Sequence, residues 1–182
     1  MSMNTKKIVF SAAAIALATV ISVVIKLPSL PAGGSVTLFS MLVISLIGYW
    51  YGPVTGLIAA FAYGILQFIT GPYVVHPAQV LLDYPLAFGA LGLSGFFYKK
   101  KNGLLIGYLV GVCGRYFFHM VSGLIFYTEY VSGDAAASWA AIGASFVYNL
   151  TYLVPEAVLT VVLISLPPIK KMLGNLKHLA TE

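Results

Sequence analysis

Long apolar runs, broken by short polar or proline- and glycine-rich stretches, pattern the chain from end to end. A helix needs about 20 apolar residues, with a range of roughly 17–25, to cross a bilayer core. Six segments qualify, some with interruptions: residues 8–26, 36–51, 53–70, 77–98, 104–128 and 140–167. Only Gly52-Pro53 divides the second from the third. Between the first and second, residues 27–34 hold two prolines and two glycines, which exclude regular structure. The pattern predicts an all-α fold, a polytopic membrane protein in which residues 1–182 form a single six-helix membrane domain. Lys6 and Lys7 before an apolar run also resemble a signal peptide. The run is longer than a usual signal core and more spans follow, so it reads as the first span.

Charge fixes the orientation. With the N-terminus in the cytoplasm, Lys6, Lys7, Lys99, Lys100, Lys101, Lys170, Lys171 and Lys177 all fall inside, as the positive-inside rule requires. Lys26, Glu129 and Asp134 fall outside, and six spans return the C-terminus to the cytoplasm. Composition agrees with a lipid solvent: 60% of the 182 residues are apolar and 8% charged, against roughly 25% charged in a soluble domain. The net charge of +5 does not point to nucleic acid, because the lysines form short clusters and no basic face. One cysteine, Cys113, excludes a disulfide within the chain and reads as buried and inert; no metal-ligand spacing is present.

Small residues recur at helical spacing. Ala12, Ala14, Ala16 and Ala18 mark the first helix, Gly52, Gly56, Ala60 and Gly64 the third, and Gly103, Gly107 and Gly111 the fifth. Such stripes let backbones approach closely. Internal packing is the favoured reading for the third and fifth. The first stays open between bundle packing and a separate membrane partner. No internal repeat supports an inverted-repeat carrier.

Ionisable residues are costly in a membrane core and default to functional roles. Asp83 falls on the fourth helix, Arg115 and His119 on the fifth, and Glu156 on the sixth, with the amide of Asn149. Gln79 and Asp83 are four apart, as are Arg115 and His119, so each pair shares a face. Ser145, Tyr148, Asn149, Tyr152 and Glu156 form one polar stripe. Asp83, His119 and Asn149 all lie about two to three turns from the outer surface at 3.6 residues per turn, which predicts one outward-opening pocket. Tyr84, Phe118, Tyr127, Trp139 and Tyr148 lie near it in depth or sequence. A carboxylate among rings suits a flat organic cation. The structural alternatives are an Asp83–Arg115 ion pair and, for Trp139, a place in the interfacial aromatic belt. Ser122 lacks a nucleophile elbow, and no zinc-protease or nucleotide-binding motif occurs. No enzymatic activity is expected.

Four stretches together resemble the thiamine-specific S subunits (S components) of energy-coupling factor (ECF) vitamin transporters. They are Pro31-Ala-Gly-Gly-Ser35; His76-Pro-Ala-Gln-Val-Leu-Leu-Asp-Tyr84 with Ala87-Phe88 and Gly95; Arg115-Tyr-Phe-Phe-His119 with Ser122-Gly123; and Tyr148-Asn-Leu-Thr-Tyr152 with Pro155. The resemblance implies a bacterial, multi-pass plasma-membrane protein that captures extracellular thiamine with high affinity and needs no cofactor. Its implied partners are a transmembrane scaffold subunit and two ATPases, with the scaffold meeting the alanine stripe of the first helix. For thiamine the expected contacts are Asp83 balancing the thiazolium charge or holding the aminopyrimidine, His119, Tyr148 and Asn149 fixing the rings, Tyr84 and Tyr127 as aromatic walls, and Arg115 anchoring the carboxylate network from below, with Gln79 and Trp139 added by their spacing and depth. Residues 31–35 would be the rigid end of a lid. Some family members carry glutamate, lysine and tryptophan where Asp83, Arg115 and Tyr127 stand; a tyrosine expected near Ala144 is missing, and the first loop lacks an aromatic residue. The rivals are an S subunit for another flat vitamin or pyrimidine precursor, and a standalone carrier using Asp83, His119 and Glu156 as a proton relay.

Overall fold

The computed structural model describes residues 2–25, 35–74, 76–130 and 135–182, leaving aside the side chains of 127–130, 135–138 and 141. The proline- and glycine-rich part of the first loop, Lys26, Asp134 and the side chains of Tyr127 and Glu129 therefore lie outside the described residues. Among the described residues seven helices follow one another: α1 Met3–Val24, α2 Ser40–Tyr51, α3 Pro53–Thr70, α4 Pro77–Phe97, α5 Gly103–Tyr130, α6 Ala135–Ser165 and α7 Pro167–Thr181. All but α2 and α7 are long and apolar enough to cross a membrane, and α2 is a shorter apolar helix. The all-α, multi-pass architecture predicted from the apolar runs is what the chain adopts.

α2 begins four residues later than the apolar run suggests. Its 12 residues span about 18 Å at 1.5 Å each, short of the roughly 30 Å hydrocarbon core. It is buried nearly all round, through Met41, Leu42, Ile44, Leu46, Ile47 and Trp50. A helix apolar on every side needs such enclosure, and α2 is the post around which α1, α3, α4 and α5 pack. Its start is set by Phe39, whose φ of 68° is left-handed and breaks the run. Its end is set by Gly52 at φ 86°, a conformation glycine adopts without cost, followed by Pro53 at the first position of α3.

α1 answers the question left open by its alanines. Ser11, Ala14, Ala18 and Ser22 form the buried stripe. It is tied to α3, where the Tyr63 hydroxyl donates to the Ala18 carbonyl at 3.4 Å and the Gln67 amide donates to Ser22 Oγ at 2.8 Å. Ala14 and Ala18 are thus spent on the bundle, because two methyls at that spacing let α3 approach. Ala12 and Ala16 lie on the opposite, exposed face. Cys113 is also exposed on the outer surface of α5, contrary to its expected burial; in a membrane protein an apolar run does not separate core from lipid.

The lysines predicted to share the cytoplasm gather at one end. Lys177 Nζ donates to the Tyr98 carbonyl at 2.7 Å and sits 3.8 Å from the Tyr49 ring centroid. Partial burial there pushes the Lys177 amine below its ordinary pKa. Lys170 reaches Asn102 at 3.5 Å, and the Tyr51 hydroxyl donates to the Ala180 carbonyl at 3.0 Å. These contacts hold α7, an amphipathic helix absent from the six predicted spans, under the bundle through Leu173 and Ala180.

Candidate ligand-binding site

The site grows from a break in α4. Pro85 has no N–H to give the helix, and residues Leu82–Leu86 around it form a π-helical turn. Such turns often mark functional positions. This one carries Asp83 and Tyr84. Gly64 of α3 makes room for it: a Cβ there would meet the Tyr84 carbonyl oxygen at 2.5 Å and Pro85 Cα at 2.9 Å.

Asp83 is held by neutral donors. Gln79 Nε2, one turn earlier, donates to Oδ2 at 2.5 Å, and His119 Nδ1 lies 3.0 Å from Oδ1. Arg115 Nε donates to His119 Nε2 at 3.3 Å. An imidazole nitrogen that accepts carries no proton, so the His119 ring is neutral with its proton on Nδ1, directed at Asp83. The expected alternative of an Asp83–Arg115 ion pair is replaced by a relay with His119 between them. Arg115 is 6% exposed and its guanidinium lies 4.0 Å over the Phe88 ring. Its Nη1 is buried without a protein partner and can serve a ligand acceptor. The Asp83 side chain keeps 20% exposure, enough for a ligand to reach the carboxylate.

α6 supplies the facing wall. Asn149 Nδ2 donates to the Ser145 carbonyl at 2.9 Å, and the Tyr152 hydroxyl donates to Asn149 Oδ1 at 2.5 Å. The Tyr152 ring stands edge-on to His119 at 6.0 Å and to Tyr148 at 5.8 Å. A turn deeper, Glu156 receives the Thr37 hydroxyl at 3.2 Å and the Met41 amide at 3.4 Å. It caps α2 from a distance of more than a hundred residues along the chain.

The structure therefore brings together Gln79, Asp83, Arg115 and His119, with Tyr148 and Asn149 on the adjoining wall. Tyr84 turns elsewhere: its hydroxyl accepts from the Tyr73 amide at 2.8 Å and donates to the Gly71 carbonyl at 3.1 Å, and its ring meets Phe68. Trp139 is 75% exposed and projects away from the bundle. The Tyr127 side chain is outside the described residues. Two contributors were not among the expected ligand contacts, Tyr152 and Phe88. Tyr152 had a readable signal, being three residues beyond Asn149 on the same stripe; Phe88 had none beyond its place in a family-like stretch.

A carboxylate held by uncharged donors, a buried cation behind it and a tyrosine-lined wall can bind a small, flat, positively charged molecule. Fold and site define a membrane-embedded small-ligand protein. Residues 8–174 match the family model described as thiamine transporter protein (Thia_YuaJ). The thiamine transporter ThiT of Bacillus subtilis (strain 168) is 31% identical over 183 residues, 90% of this chain and 93% of that protein. ThiT of Lacticaseibacillus paracasei is 29% identical over 109 residues, 50% of this chain and 54% of that one. A structure of ThiT from Listeria monocytogenes, obtained by native-SAD phasing, superposes with a TM-score of 0.67 at 26% identity, over 92% of this chain and 97% of that chain. The chain belongs to the thiamine transporter protein family.

Proposed function

We propose that this chain captures thiamine at the outer face of a bacterial plasma membrane as the S subunit of an ECF transporter, without catalytic activity of its own. The observation that carries the ligand reading is the Gln79–Asp83–His119–Arg115 relay. Asp83 faces the positive thiazolium or accepts from the aminopyrimidine. Tyr148 and Asn149 orient the rings, and Arg115 holds His119 in the tautomer that donates to Asp83. Family membership supports thiamine over other flat vitamins.

The partner reading rests on α1. Ala12 and Ala16 are one turn apart on an exposed face, where a scaffold helix can approach closely, while Asp83 and His119 lie on other helices at the far end. Ala16→Trp should leave thiamine affinity in detergent unchanged. Uptake into proteoliposomes holding scaffold and ATPases should fall about tenfold, since an indole on this face holds the partner helix several ångströms away. Normal uptake removes the stripe from the partner contact. Accumulation by the chain alone in liposomes would favour a secondary carrier instead.

Trp139 provides a negative control. With its ring exposed to the surroundings, Trp139→Phe should bind thiamine within about twofold of wild type by isothermal titration calorimetry. A larger loss would bring Trp139 back to the ligand.

A further inference from the structure

The lysine-rich end of the bundle holds a cleft that the ligand site does not use. Its volume is about 580 Å³, within the roughly 300–1,000 Å³ range of small-molecule sites. Trp50, Tyr98, Lys99, Lys100, Lys101 and Lys177 line it. Trp50 is one residue from the end of α2 and Tyr98 directly follows α4, so the cleft lies where those two helices end. No carboxylate among the described residues lines it. Glu182, just past α7, is taken by His178 Nδ1 at 2.7 Å. The positive-inside rule requires these lysines to share one side of the membrane, but it does not gather them round one opening. Lys177 Nζ has three donors and gives one to the Tyr98 carbonyl. Lys100 and Lys101 are exposed, and neither has an acidic partner among the described residues. The most buried lining residue is Trp50, at 8% exposure. Its Nε1–H can only donate, and it is buried without a protein partner. Buried donors are rarely left unpaired. An unmet indole donor beside four ammonium groups fits a phosphate, whose oxygens accept and carry negative charge.

The surroundings of the cleft favour a lipid over a free anion. At about 100° per residue, Met172 and Leu179 flank one side of the buried Leu173 and Ala180 on α7, and Lys170 and Lys177 flank the other. Met172 and Leu179 are exposed, as are Phe96 at the end of α4 and Val54 at the start of α3. A helix with an apolar flank and lysines beside it lies in the membrane interface, its apolar side among acyl chains and its ammonium groups among headgroups. Basic pockets between helices at this depth bind anionic lipid headgroups. Inorganic phosphate would use the lysines and leave the apolar flank without a partner. A phospholipid uses both.

We propose that this cleft binds the phosphodiester headgroup of an anionic phospholipid from the leaflet on the lysine-rich side, with Lys100, Lys101 and Lys177 as counter-charges and the Trp50 indole donating to a phosphate oxygen. The site is separate from the relay at Asp83 and does not depend on what that relay binds. The chain has two tryptophans, so Trp139→Phe leaves Trp50 as the sole reporter, placed at the cleft itself. This protein is reconstituted in phosphatidylcholine vesicles with increasing fractions of chain-brominated phosphatidylglycerol or chain-brominated phosphatidylcholine, and bromine quenching of Trp50 gives the relative association of each lipid. Phosphatidylglycerol should associate about tenfold more strongly. Adding Lys100→Gln and Lys101→Gln, both at exposed positions, should bring the two lipids within about twofold, since one lysine near an anionic lipid is worth about fivefold. Lys6→Gln with Lys7→Gln removes the same charge from the same end but outside the cleft, and should keep the preference within about twofold of the starting protein. Trp50→Phe is read by the rise in unfolding temperature that phosphatidylglycerol gives in detergent, which should shrink to about half. Where that variant does not fold, the lysine variants decide. Equal quenching by the two lipids overturns the proposal. So does an equal loss in the Lys6 and Lys7 control, which would make the preference a property of the whole charged face. An undiminished temperature rise in folded Trp50→Phe overturns it by taking the indole out of the site. Recovery of Trp50 fluorescence when inorganic phosphate replaces chloride at equal ionic strength overturns the lipid in favour of a free anion.

Discussion

Replacing Asp83 with alanine is expected to weaken thiamine binding about a hundredfold, and with asparagine about tenfold, or 1.4 kcal/mol. Alanine removes the counter-charge and also orphans two donors, the Gln79 amide and His119 Nδ1, which both end on this carboxylate. Each buried donor left without an acceptor costs about 1–3 kcal/mol. Asparagine keeps one acceptor, but its NH2 must face either Gln79 or His119, so in either orientation a donor meets a donor. His119 can escape by moving its proton to Nε2, and then it opposes the Arg115 N–H that it now accepts. The disturbance therefore runs through the relay instead of stopping at Asp83. Isothermal titration calorimetry in detergent measures it. An Asp83→Asn protein with wild-type affinity would remove Asp83 from the site.

Lipid explains which parts of this architecture were readable in advance. Spanning helices must satisfy their backbone internally and expose apolar side chains, so α3, α5 and α6 stood out as runs, and the lysines gave their polarity. The site residues were readable because ionisable groups are rare in a membrane; Asp83, Arg115 and His119 needed only i, i+4 spacing and equal depth to be placed together. What escaped depends on contacts distant in sequence. Residues 36–39 look helical by composition, yet α2 starts at Ser40, where Phe39 turns left-handed and Glu156 of α6 accepts the Met41 amide of the first turn. Pro85 announces a disturbance in α4, but a π-helical turn is accommodated there because Gly64 yields space on α3. Apolar content did not separate lipid-facing from core-facing positions, which is why Cys113 was misread and the four alanines of α1 divide between two faces. α7 lies beyond the last predicted span because it is amphipathic and not apolar throughout, although Ile169, Leu173, Leu176 and Ala180 carry helical periodicity there.

Gly92 is a position where substitution should damage the fold severely. A Cβ built there lies 2.5 Å from both Leu57 Cα and Leu57 N, and 2.6 Å from the Gly56 carbonyl carbon. These are backbone atoms in the first turns of α3, so no side-chain rotation relieves the clash. The neighbouring positions repeat the pattern. A Cβ on Gly95 meets Gly52 and Pro53 backbone at 2.5 Å, and one on Gly56 meets Gly48 Cα at 2.6 Å. α4 is thus in backbone contact with the α2–α3 junction at Gly92 and Gly95, one turn apart, and moving it out would also shift the π-helical turn that carries Asp83. Gly92→Ala should destabilise by roughly 3 kcal/mol, the upper part of the usual overpacking range, and lower the apparent unfolding temperature by roughly 5–10 °C. Gly92→Leu should yield no folded protein on size-exclusion chromatography. Gly143→Ala and Gly174→Ala are the controls, because a Cβ at either meets nothing within 4 Å and alanine favours helix by about 1 kcal/mol. If Gly92→Ala unfolds at the wild-type temperature, the α3–α4 contact is looser than the backbone distances require. In that case close glycine packing is not what fixes the position of Asp83.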